Sequence, residues 1–312
     1  MFEPNYLKLY KNGELERRGT LAYKILESCS LCPRNCRVNR LKEEKGFCKT
    51  GSKPIISSYG PHFGEESPLV GENGSGSIFV TNCNLGCVFC QNYDISHLGQ
   101  GLEISSEDIS VIMLSLQHRG CHNINFVSPT HIMPQILAAL PLAIEKGLKI
   151  PLVYNTGAYD SIQSISLLDG IFDIYMPDFK FSDTGSSKSY AKAPDYFEKA
   201  SAAILEMYRQ VGDLKLDSKN IAYQGLLIRH LVMPNNLAGT EKVMDFISSK
   251  ISKNTYINIM DQYRPCGEAN RYPELNRRIT DKEYKDAVDI ACKHGLTRLD
   301  DRRRLPRYWL DF

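Results

Sequence analysis

The sequence predicts an α/β protein, built on a partial (β/α)6 barrel with a small N-terminal cysteine-rich module. Two observations predict this fold. Short β-branched or aromatic runs alternate with longer amphipathic runs between about residues 75 and 295, and seven of the ten cysteines form two clusters within the first 90 residues. Alternating strands and helices are typical of a parallel sheet with right-handed crossovers. Six strand–helix units are two fewer than a closed eightfold barrel contains.

The predicted elements follow one another along the chain. The six strands are SIFVT at 77–81, NINFVS at 123–128, IPLVYN at 150–155, FDIYMPDF at 172–179, GLLIRHLVM at 225–233 and TYINIMDQY at 255–263. The last predicted helix begins with a capping box of Thr280 and Glu283 and ends at Gly295. Residues 188–220, between the fourth and fifth strands, predict one long helical region.

Three segments are expected. Residues 1–74 form a four-cysteine module with a linker that includes GENGSGS, residues 75–295 form the barrel, and residues 296–312 form an arginine-rich tail. The tail carries five arginines, but its three aspartates dilute the charge. A docked tail is therefore expected rather than a nucleic-acid-binding arm.

Composition indicates the compartment. The chain is 42% hydrophobic and has a net charge of +2, which argues neither for nor against a nucleic-acid partner. The amino terminus is too polar for a signal peptide, and the most apolar run is short and broken by Pro134 and Pro141, so no membrane segment is expected. We expect a reducing cytoplasm, where clustered cysteines bind metal rather than form disulfides.

The second cysteine cluster has the spacing C-x3-C-x2-C. Cys83, Cys87 and Cys90 directly follow the first predicted strand, at the carboxyl edge where parallel α/β folds carry their function. Three thiolates on a four-iron cluster leave one iron free, whereas four ligands would close a zinc site. The candidate fourth zinc ligand is His97.

This spacing, the strand before it and Phe89 before the last cysteine resemble the signature of the radical S-adenosylmethionine superfamily. The resemblance implies a TIM-like partial barrel in which the three thiolates hold a [4Fe-4S] cluster and S-adenosylmethionine chelates the free iron. Reductive cleavage would then give a 5′-deoxyadenosyl radical that abstracts hydrogen. The segments SPTH, YGPHFGEESPLVG at 59–71 and MDQYRP at 260–265 are similar to the PflX-like group, which is related to pyruvate formate-lyase activating enzymes.

The same resemblance assigns residues at later strand ends. Asp178 and Lys180 in YMPDFK lie two apart and so face the same side of a strand, although a buried ion pair without function is the alternative. The resemblance implies that Lys180 is catalytic and that S-adenosylmethionine contacts Phe89, Ser128, Thr130, Asn155, Thr156, Met176, Asp178 and Arg229. Ser128 and Thr130 replace the glycine-rich turn common in the family. Cys266, after the sixth strand, is a candidate for substrate contact or hydrogen donation.

The first cluster has four cysteines spaced C-x2-C-x3-C-x11-C. Cys29, Cys32, Cys36 and Cys48 suffice to saturate one metal centre, either zinc or an auxiliary [4Fe-4S] cluster. Four reduced cysteines without metal are the alternative. Pyruvate formate-lyase activating enzyme lacks this module.

The expected function is hydrogen abstraction by a radical S-adenosylmethionine oxidoreductase, with a backbone glycine of a glycyl-radical enzyme as substrate. The expected partners are a low-potential electron donor such as flavodoxin or ferredoxin and a protein substrate. One alternative is modification of a peptide or small molecule with the help of an auxiliary cluster. The other is a non-catalytic zinc-binding adaptor.

Overall fold

A computed structural model describes residues 2–300 of the chain. Its nine strands form a sheet in the order β3-β1-β2-β4-β5-β6-β8-β7, and β9 pairs with β8. The strands are β1 Ile55–His62, β2 Ser75–Val80, β3 Leu102–Glu103, β4 Ile124–Val127, β5 Leu152–Thr156, β6 Ile174–Pro177, β7 Lys215–Leu216, β8 Ala222–Leu231 and β9 Tyr256–Met260. The α-helices are α1 Tyr6–Lys11, α2 Glu14–Ile25, α3 Ser67–Val70, α4 Tyr93–Ser96, α5 Ser106–His118, α6 Met133–Glu145, α7 Ile162–Leu167, α8 Thr184–Ala191, α9 Tyr196–Val211, α10 Thr240–Phe246 and α11 Asp281–Lys293.

The predicted α/β class is confirmed. Strands β2, β4, β5, β6, β8 and β9 pair in parallel, each with the next, and coincide with the six predicted strands. At least one α-helix separates each of these strands from the next along the chain. Because every crossover returns through a helix, the carboxyl ends of these strands meet at one edge of the sheet.

Register fixes which residues share the inner face. Ser77, Asn125, Val153 and Ile174 form one row across β2, β4, β5 and β6. Phe79, Val127, Asn155 and Met176 form the next row toward the carboxyl ends. Since side chains alternate with a period of two, the two rows lie on the same face.

The sequence did not predict strands β1 and β3, which extend the sheet beyond β2. Strand β1 pairs antiparallel with β2 along most of its length, and β3 pairs with the start of β1. Strand β1 contains two serines, Gly60 and Pro61, which have low strand propensity. The main sheet therefore begins inside the segment 1–74 that the sequence assigned to the N-terminal module.

The first two helices cover the outside of the barrel. Leu15 and Ala22 on one face of α2 are buried, and Gly19 lies against the backbone of Leu137 on α6. The hydroxyl of Tyr6 donates to the carbonyl of Ile150 at 2.8 Å. The amino-terminal segment is thus part of the main hydrophobic core.

The prediction of one helix over residues 188–220 is wrong. The segment contains the end of α8, all of α9 and the short strand β7. Lys192 ends α8 in the left-handed conformation with φ 56°, and Pro194 disfavours helix at the residue before it. By contrast, the predicted capping box of Thr280 and Glu283 is confirmed at the start of α11.

The lumen of the barrel has an apolar floor. A separate cluster of buried residues contains Val153, Ile174, Met176, Leu227 and Tyr256, together with Leu69 of α3. Polar side chains therefore gather above this floor, toward the carboxyl ends of the strands. Among residues 2–300, no helix combines the length and the apolar character that crossing a membrane requires.

His230 on β8 gives the fold a pH dependence that can be measured. It is fully buried, its Nδ1 donates to the carbonyl of Phe179 at 2.8 Å, and its Nε2 lies 3.0 Å from the hydroxyl of Thr240. Burial lowers the pKa of His230 from 6.5 to about 4. Below pH 6.5, His230 therefore becomes protonated in the unfolded chain but stays neutral in the folded chain. The free energy of unfolding therefore decreases as the pH falls from 6.5 toward 4.

We expect the stability advantage of wild type over His230→Asn to shrink by about 2 kcal/mol between pH 7.5 and pH 5, because one pKa unit corresponds to about 1.4 kcal/mol. Urea denaturation at the two pH values measures it. His118→Asn, at an exposed position, serves as the control. An advantage of equal size at both pH values would contradict this assignment to His230.

Candidate active site

The three-cysteine loop lies between β2 and α4. Asn82 enters it in the left-handed conformation with φ 70°. The backbone N–H of Leu85 points at the Sγ of Cys83 at 3.4 Å, and the hydroxyl of Ser96 donates to the Sγ of Cys90 at 3.1 Å. Donors aimed at sulfur stabilise thiolates, so two of the three sulfurs already have the outer hydrogen bonds that metal ligands usually receive.

The thiols of this loop are buried beside a cation. Burial raises the pKa of Cys83 to about 11 and that of Cys87 to about 12, while the charge of Lys180 lowers both. Such thiols keep their protons at neutral pH and release them when a metal binds. Three cysteines with this environment are a fitting donor set for an iron–sulfur cluster.

Asp178, Lys180 and Arg229 converge as one ion cluster. The Oδ2 of Asp178 lies 2.6 Å from the Nζ of Lys180, and its Oδ1 lies 2.6 Å from the Nε of Arg229. The Nη2 of Arg229 also donates to the Oδ1 of Asn155 at 2.7 Å. These four side chains come from or follow β5, β6 and β8, and they form a charged layer above the apolar floor.

The electrostatics of this cluster favour its charged state. Burial raises the pKa of Asp178, but Arg229 and Lys180 outweigh it, so the pKa lies below its ordinary value. Burial lowers the pKa of Lys180, but the charges of Asp178 and Cys87 outweigh it, so this pKa lies above its ordinary value. At neutral pH the carboxylate of Asp178 lies between the two cations, with Lys180 on the side of the cysteine loop.

Sequence reasoning missed two acids in the same cluster. Glu65 and Glu66, in the loop after β1, have carboxylate oxygens 3.4 Å and 3.8 Å from the Nη1 of Arg229. Asn258 donates to Glu66 at 2.8 Å, and His62 lies 3.1 Å from Glu65. Both acids follow β1, an antiparallel strand that the sequence did not predict, so no sequence pattern placed them at the barrel mouth.

Thr130 and Thr156 both contact a buried acid that the sequence did not single out. Their hydroxyls donate to the two carboxylate oxygens of Asp160 at 2.7 Å each, and the hydroxyl of Tyr154 lies 3.0 Å away. Burial raises the pKa of Asp160 against these hydrogen bonds. Both hydroxyls therefore link the ends of β4 and β5.

The remaining predicted residues take different positions around the mouth. Ser128 is left-handed with φ 61°, and its N–H donates to the carbonyl of Asn155 at 2.7 Å. Phe89 is buried against the rings of Phe181 and Tyr263, and Met176 is buried in the lumen floor. Cys266 is half-buried in a loop that reaches the cysteine loop, because the N–H of Glu268 donates to the carbonyl of Val88 at 2.7 Å.

The four N-terminal cysteines line one cavity. Its wall also contains Arg40, Gly46 and His131. A Cβ on Gly46 would stand 2.7 Å from the Sγ of Cys36, so only glycine fits there, and the N–H of Phe47 points at the same sulfur at 3.4 Å.

Arg40 supplies this cavity with a buried positive charge. The side chain is 1% exposed and donates to the carbonyls of Gly51 and His131. Burial raises the pKa of Cys48, and the charge of Arg40 lowers it. A buried guanidinium held by carbonyls is costly without a nearby anion, and bound thiolates would provide one. The donor set therefore fits a thiolate-bound metal.

Neither cysteine set has the closed geometry of a single-ion site. Within residues 2–300, no group of three or more His, Cys, Asp or Glu side chains stands in the arrangement of one metal ion. Four thiolates on one zinc lie under about 4 Å apart, whereas a four-iron cluster spreads them over separate irons. His97, the candidate zinc ligand, instead places its Nδ1 2.8 Å from the hydroxyl of Ser96 and stacks on Tyr93.

A comparison with solved structures finds a similar fold. The fold is similar to that of HydG, a maturase of the [FeFe]-hydrogenase, with a TM-score of 0.50 and 12% identity. The match covers 72% of this chain and 50% of HydG, so the chain spans about half the length of that protein. At 12% identity this likeness shows a shared fold.

A sequence relative shows the family. The chain is 34% identical over 309 residues to the uncharacterized protein MJ0674 of Methanocaldococcus jannaschii, covering 96% of this chain and 85% of the relative. The chain belongs to the same family as MJ0674. No family model matches the sequence.

Asp178 is expected to be the least replaceable residue of the ion cluster. Asp178→Asn leaves the largely buried Lys180 without its carboxylate and Arg229 with only the more distant Glu65 and Glu66, so we expect a loss of about 3 kcal/mol in the free energy of unfolding. Urea denaturation measures it. Asp286→Asn, at an exposed position on α11, should change stability by less than about 0.5 kcal/mol. Equal stabilities of the two variants would contradict the role of Asp178.

Proposed function

We propose that this protein is a radical S-adenosylmethionine iron–sulfur oxidoreductase that abstracts a hydrogen atom from its substrate. The observation that carries the proposal is the three-cysteine loop at the barrel mouth with the cluster of Asp178, Lys180 and Arg229 facing it. A structural zinc site needs no such ion cluster beside it. A ligand with a carboxylate, an amino group and a sulfonium does need both signs of charge.

The cysteine loop would hold the iron–sulfur cluster through Cys83, Cys87 and Cys90. When bound, a [4Fe-4S] cluster with one open iron supplies the electron that cleaves S-adenosylmethionine to methionine and a 5′-deoxyadenosyl radical. The chain's own contribution is to bury these thiols and to aim N–H and O–H donors at Cys83 and Cys90. The apolar lumen floor keeps water away from the reacting region.

S-adenosylmethionine would lie across the ends of β4, β5, β6 and β8. Arg229 offers a guanidinium to its carboxylate, in competition with Asp178. The turn at Ser128 and Thr130 offers backbone carbonyls to its amino group, and Asn155 and Thr156 are the proposed ribose contacts. Phe89 and Met176 would add apolar contacts, and Lys180 is the proposed catalytic residue beside the cysteines.

The four N-terminal cysteines are proposed to hold a second metal centre, either zinc or an auxiliary [4Fe-4S] cluster. The buried charge of Arg40 and the space that only Gly46 leaves beside Cys36 support a bound metal over four free thiols.

The proposed substrate is a backbone glycine of a glycyl-radical enzyme, with flavodoxin or ferredoxin as electron donor in the cytoplasm. The sequence motifs that contain Asp178, Lys180 and Arg229, which resemble those of the activating enzymes, support it. The second candidate is modification of a peptide or small molecule. The N-terminal module favours it, because its Cys32 contacts Asn84 inside the cysteine loop.

The proposed function predicts that the protein cleaves S-adenosylmethionine. Anaerobically reconstituted wild type should release 5′-deoxyadenosine when dithionite is added, and Cys87→Ala should reduce this release at least a hundredfold because a cluster ligand is lost. Chromatographic quantitation of the nucleoside measures it. Cys292→Ala, at an exposed cysteine on α11, is the matched control and should keep wild-type release.

Metal analysis of the same samples completes the experiment. About eight irons per chain would assign an auxiliary cluster to the N-terminal cysteines, and about four irons with one zinc would assign zinc. Zinc alone, with no nucleoside released, would exclude the enzyme and leave the zinc adaptor.

The substrate prediction is tested separately. A glycyl-radical enzyme incubated with reduced protein and S-adenosylmethionine should develop a glycyl-radical signal in electron paramagnetic resonance. The Cys87→Ala variant should give none. If wild type cleaves S-adenosylmethionine but gives no such signal with any glycyl-radical enzyme tried, the peptide or small-molecule substrate remains.

A further inference from the structure

Asn84 stands between the two cysteine sets. It lies in the three-cysteine loop directly after Cys83, and its Oδ1 is 3.9 Å from the sulfur of that residue. Burial raises the pKa of Cys32, and a hydrogen bond with the side chain of Asn84 lowers it. One side chain therefore contacts a thiol of each set, and its Nδ2 is fixed by the carbonyl of Tyr159 at 2.5 Å.

Arg34 makes a second connection. It lies between Cys32 and Cys36 in sequence, so metal binding at the N-terminal site would fix its backbone. Its Nε donates to the carbonyl of Asn84 at 2.9 Å, and its other nitrogens donate to the carbonyls of Ala191 and Lys192. The guanidinium lies 3.7 Å from the ring centroid of Phe47 and 5.1 Å from that of Tyr159.

The segment that Arg34 holds also supports the cysteine loop from the other side. The N–H of Gly86 donates to the carbonyl of Ala191 at 3.1 Å, and the N–H of Val88 donates to that of Tyr190 at 2.9 Å. A Cβ on Gly86 would lie 2.9 Å from the side chain of Lys192. Arg34 thus connects Asn84 with residues 191–192, and the carbonyls at 190 and 191 accept from the two residues that flank Cys87.

Two further connections run through neighbours of the ligands. The hydroxyl of Thr50 donates to the carbonyl of Cys48 at 2.9 Å and lies 3.3 Å from the Nδ2 of Asn82, next to Cys83. Arg40 donates to the carbonyl of His131, whose ring Nε2 lies 2.9 Å from the carbonyl of Thr81. The two sites are therefore connected by several short, independent paths.

We infer that Arg34 and Asn84 couple the two cysteine sites, so that metal binding at the four-cysteine site positions the three-cysteine loop and strengthens its hold on the cluster. Arg34 and Asn84 are positioning residues in this arrangement. The inference rests on the proposed function in so far as the three-cysteine loop holds an iron–sulfur cluster. It holds for zinc or iron at the N-terminal site, because the coupling runs through backbone geometry. Coupling between two binding sites is reciprocal, so each site should stabilise metal at the other by the same factor.

Arg34→Lys tests the coupling with all seven cysteines and the positive charge retained. Lysine lacks the planar fork that spans three carbonyls. The full-length protein is reconstituted, challenged with EDTA, and followed by the S-adenosylmethionine-dependent change in the paramagnetic resonance of its reduced cluster, which reports on the open iron alone. We expect this signal to decay about tenfold faster than in wild type. Arg37→Lys, on an exposed neighbour in the same loop, should decay at the wild-type rate.

A double-mutant cycle shows whether Arg34 acts through the N-terminal site. Cys36→Ser, which removes one N-terminal ligand, should also speed the decay about tenfold, and adding Arg34→Lys to it should have little further effect. Full multiplication of the two effects would overturn the coupling. So would decay of Arg34→Lys at the rate of Arg37→Lys.

The reciprocal measurement does not depend on the folding of the Arg34 variant. Cys87→Ala should release the N-terminal metal to EDTA faster than wild type does, and an unchanged release rate would overturn the inference. Wild type that releases 5′-deoxyadenosine while all variants hold metal equally would defeat the coupling and leave the proposed function standing. Faster metal release in the variants, together with no 5′-deoxyadenosine from wild type, would support the coupling and contradict the proposed function.

Discussion

The carboxylate of Asp178 between Arg229 and Lys180 is the interaction on which the barrel mouth depends. Each of these charges would cost several kcal/mol if buried alone, and their mutual pairing, with Glu65 and Glu66 beside Arg229, offsets that cost. The backbone enforces this: the N–H of Phe179 donates to the carbonyl of Arg229 at 2.8 Å. The hydroxyl of Tyr196 lies 2.6 Å from the carbonyl of Asp178 and accepts from the N–H of Lys180 at 2.9 Å. The ends of β6 and β8 are therefore fixed by charge pairing and by hydrogen bonds at once.

This charged layer separates two environments. Below it, side chains such as Val153, Ile174 and Leu227 fill the lumen with apolar atoms. Above it lies the cysteine loop, which Lys180 approaches closely enough for its charge to lower the pKa of Cys83 and Cys87 against their burial. A radical formed here would meet few water molecules from below, and a zwitterionic cofactor would meet fixed charges of both signs. Both properties follow from the alternation of side chains along parallel strands.

The parts of this arrangement that sequence could predict are the local ones. The six parallel strands are short β-branched runs, and the capping box of α11 spans only four residues, so each is encoded in one segment. The spacing of Asp178 and Lys180 predicted that both face one side; both follow the end of β6, and their side chains lie 2.6 Å apart. Strand β1 was not predicted because Gly60 and Pro61 interrupt its strand-forming pattern. The contact of Glu65 with Arg229 was not predicted because the two residues are 164 positions apart in sequence. The sequence did not indicate Asp160, because its partners Thr130 and Thr156 lie at the ends of two different strands and form no sequence motif with it.

The contact between the two cysteine sets belongs to the part that only tertiary structure reveals, and it bears on the charge balance of the mouth. Thiolate-bound metal centres carry negative charge, and the chain sets a cation beside each: Lys180 by the three-cysteine loop and the buried Arg40 by the four-cysteine cavity. Lys180 is already paired with Asp178, whereas the fully buried Arg40 has no carboxylate among its hydrogen-bond partners in the described part of the chain. Within residues 2–300, the guanidinium of Arg40 donates its hydrogen bonds to backbone carbonyls. A thiolate-bound centre in the cavity would place an anion beside it. The two cations would offset the negative charge of the two centres proposed above, and neither cation is itself a proposed ligand.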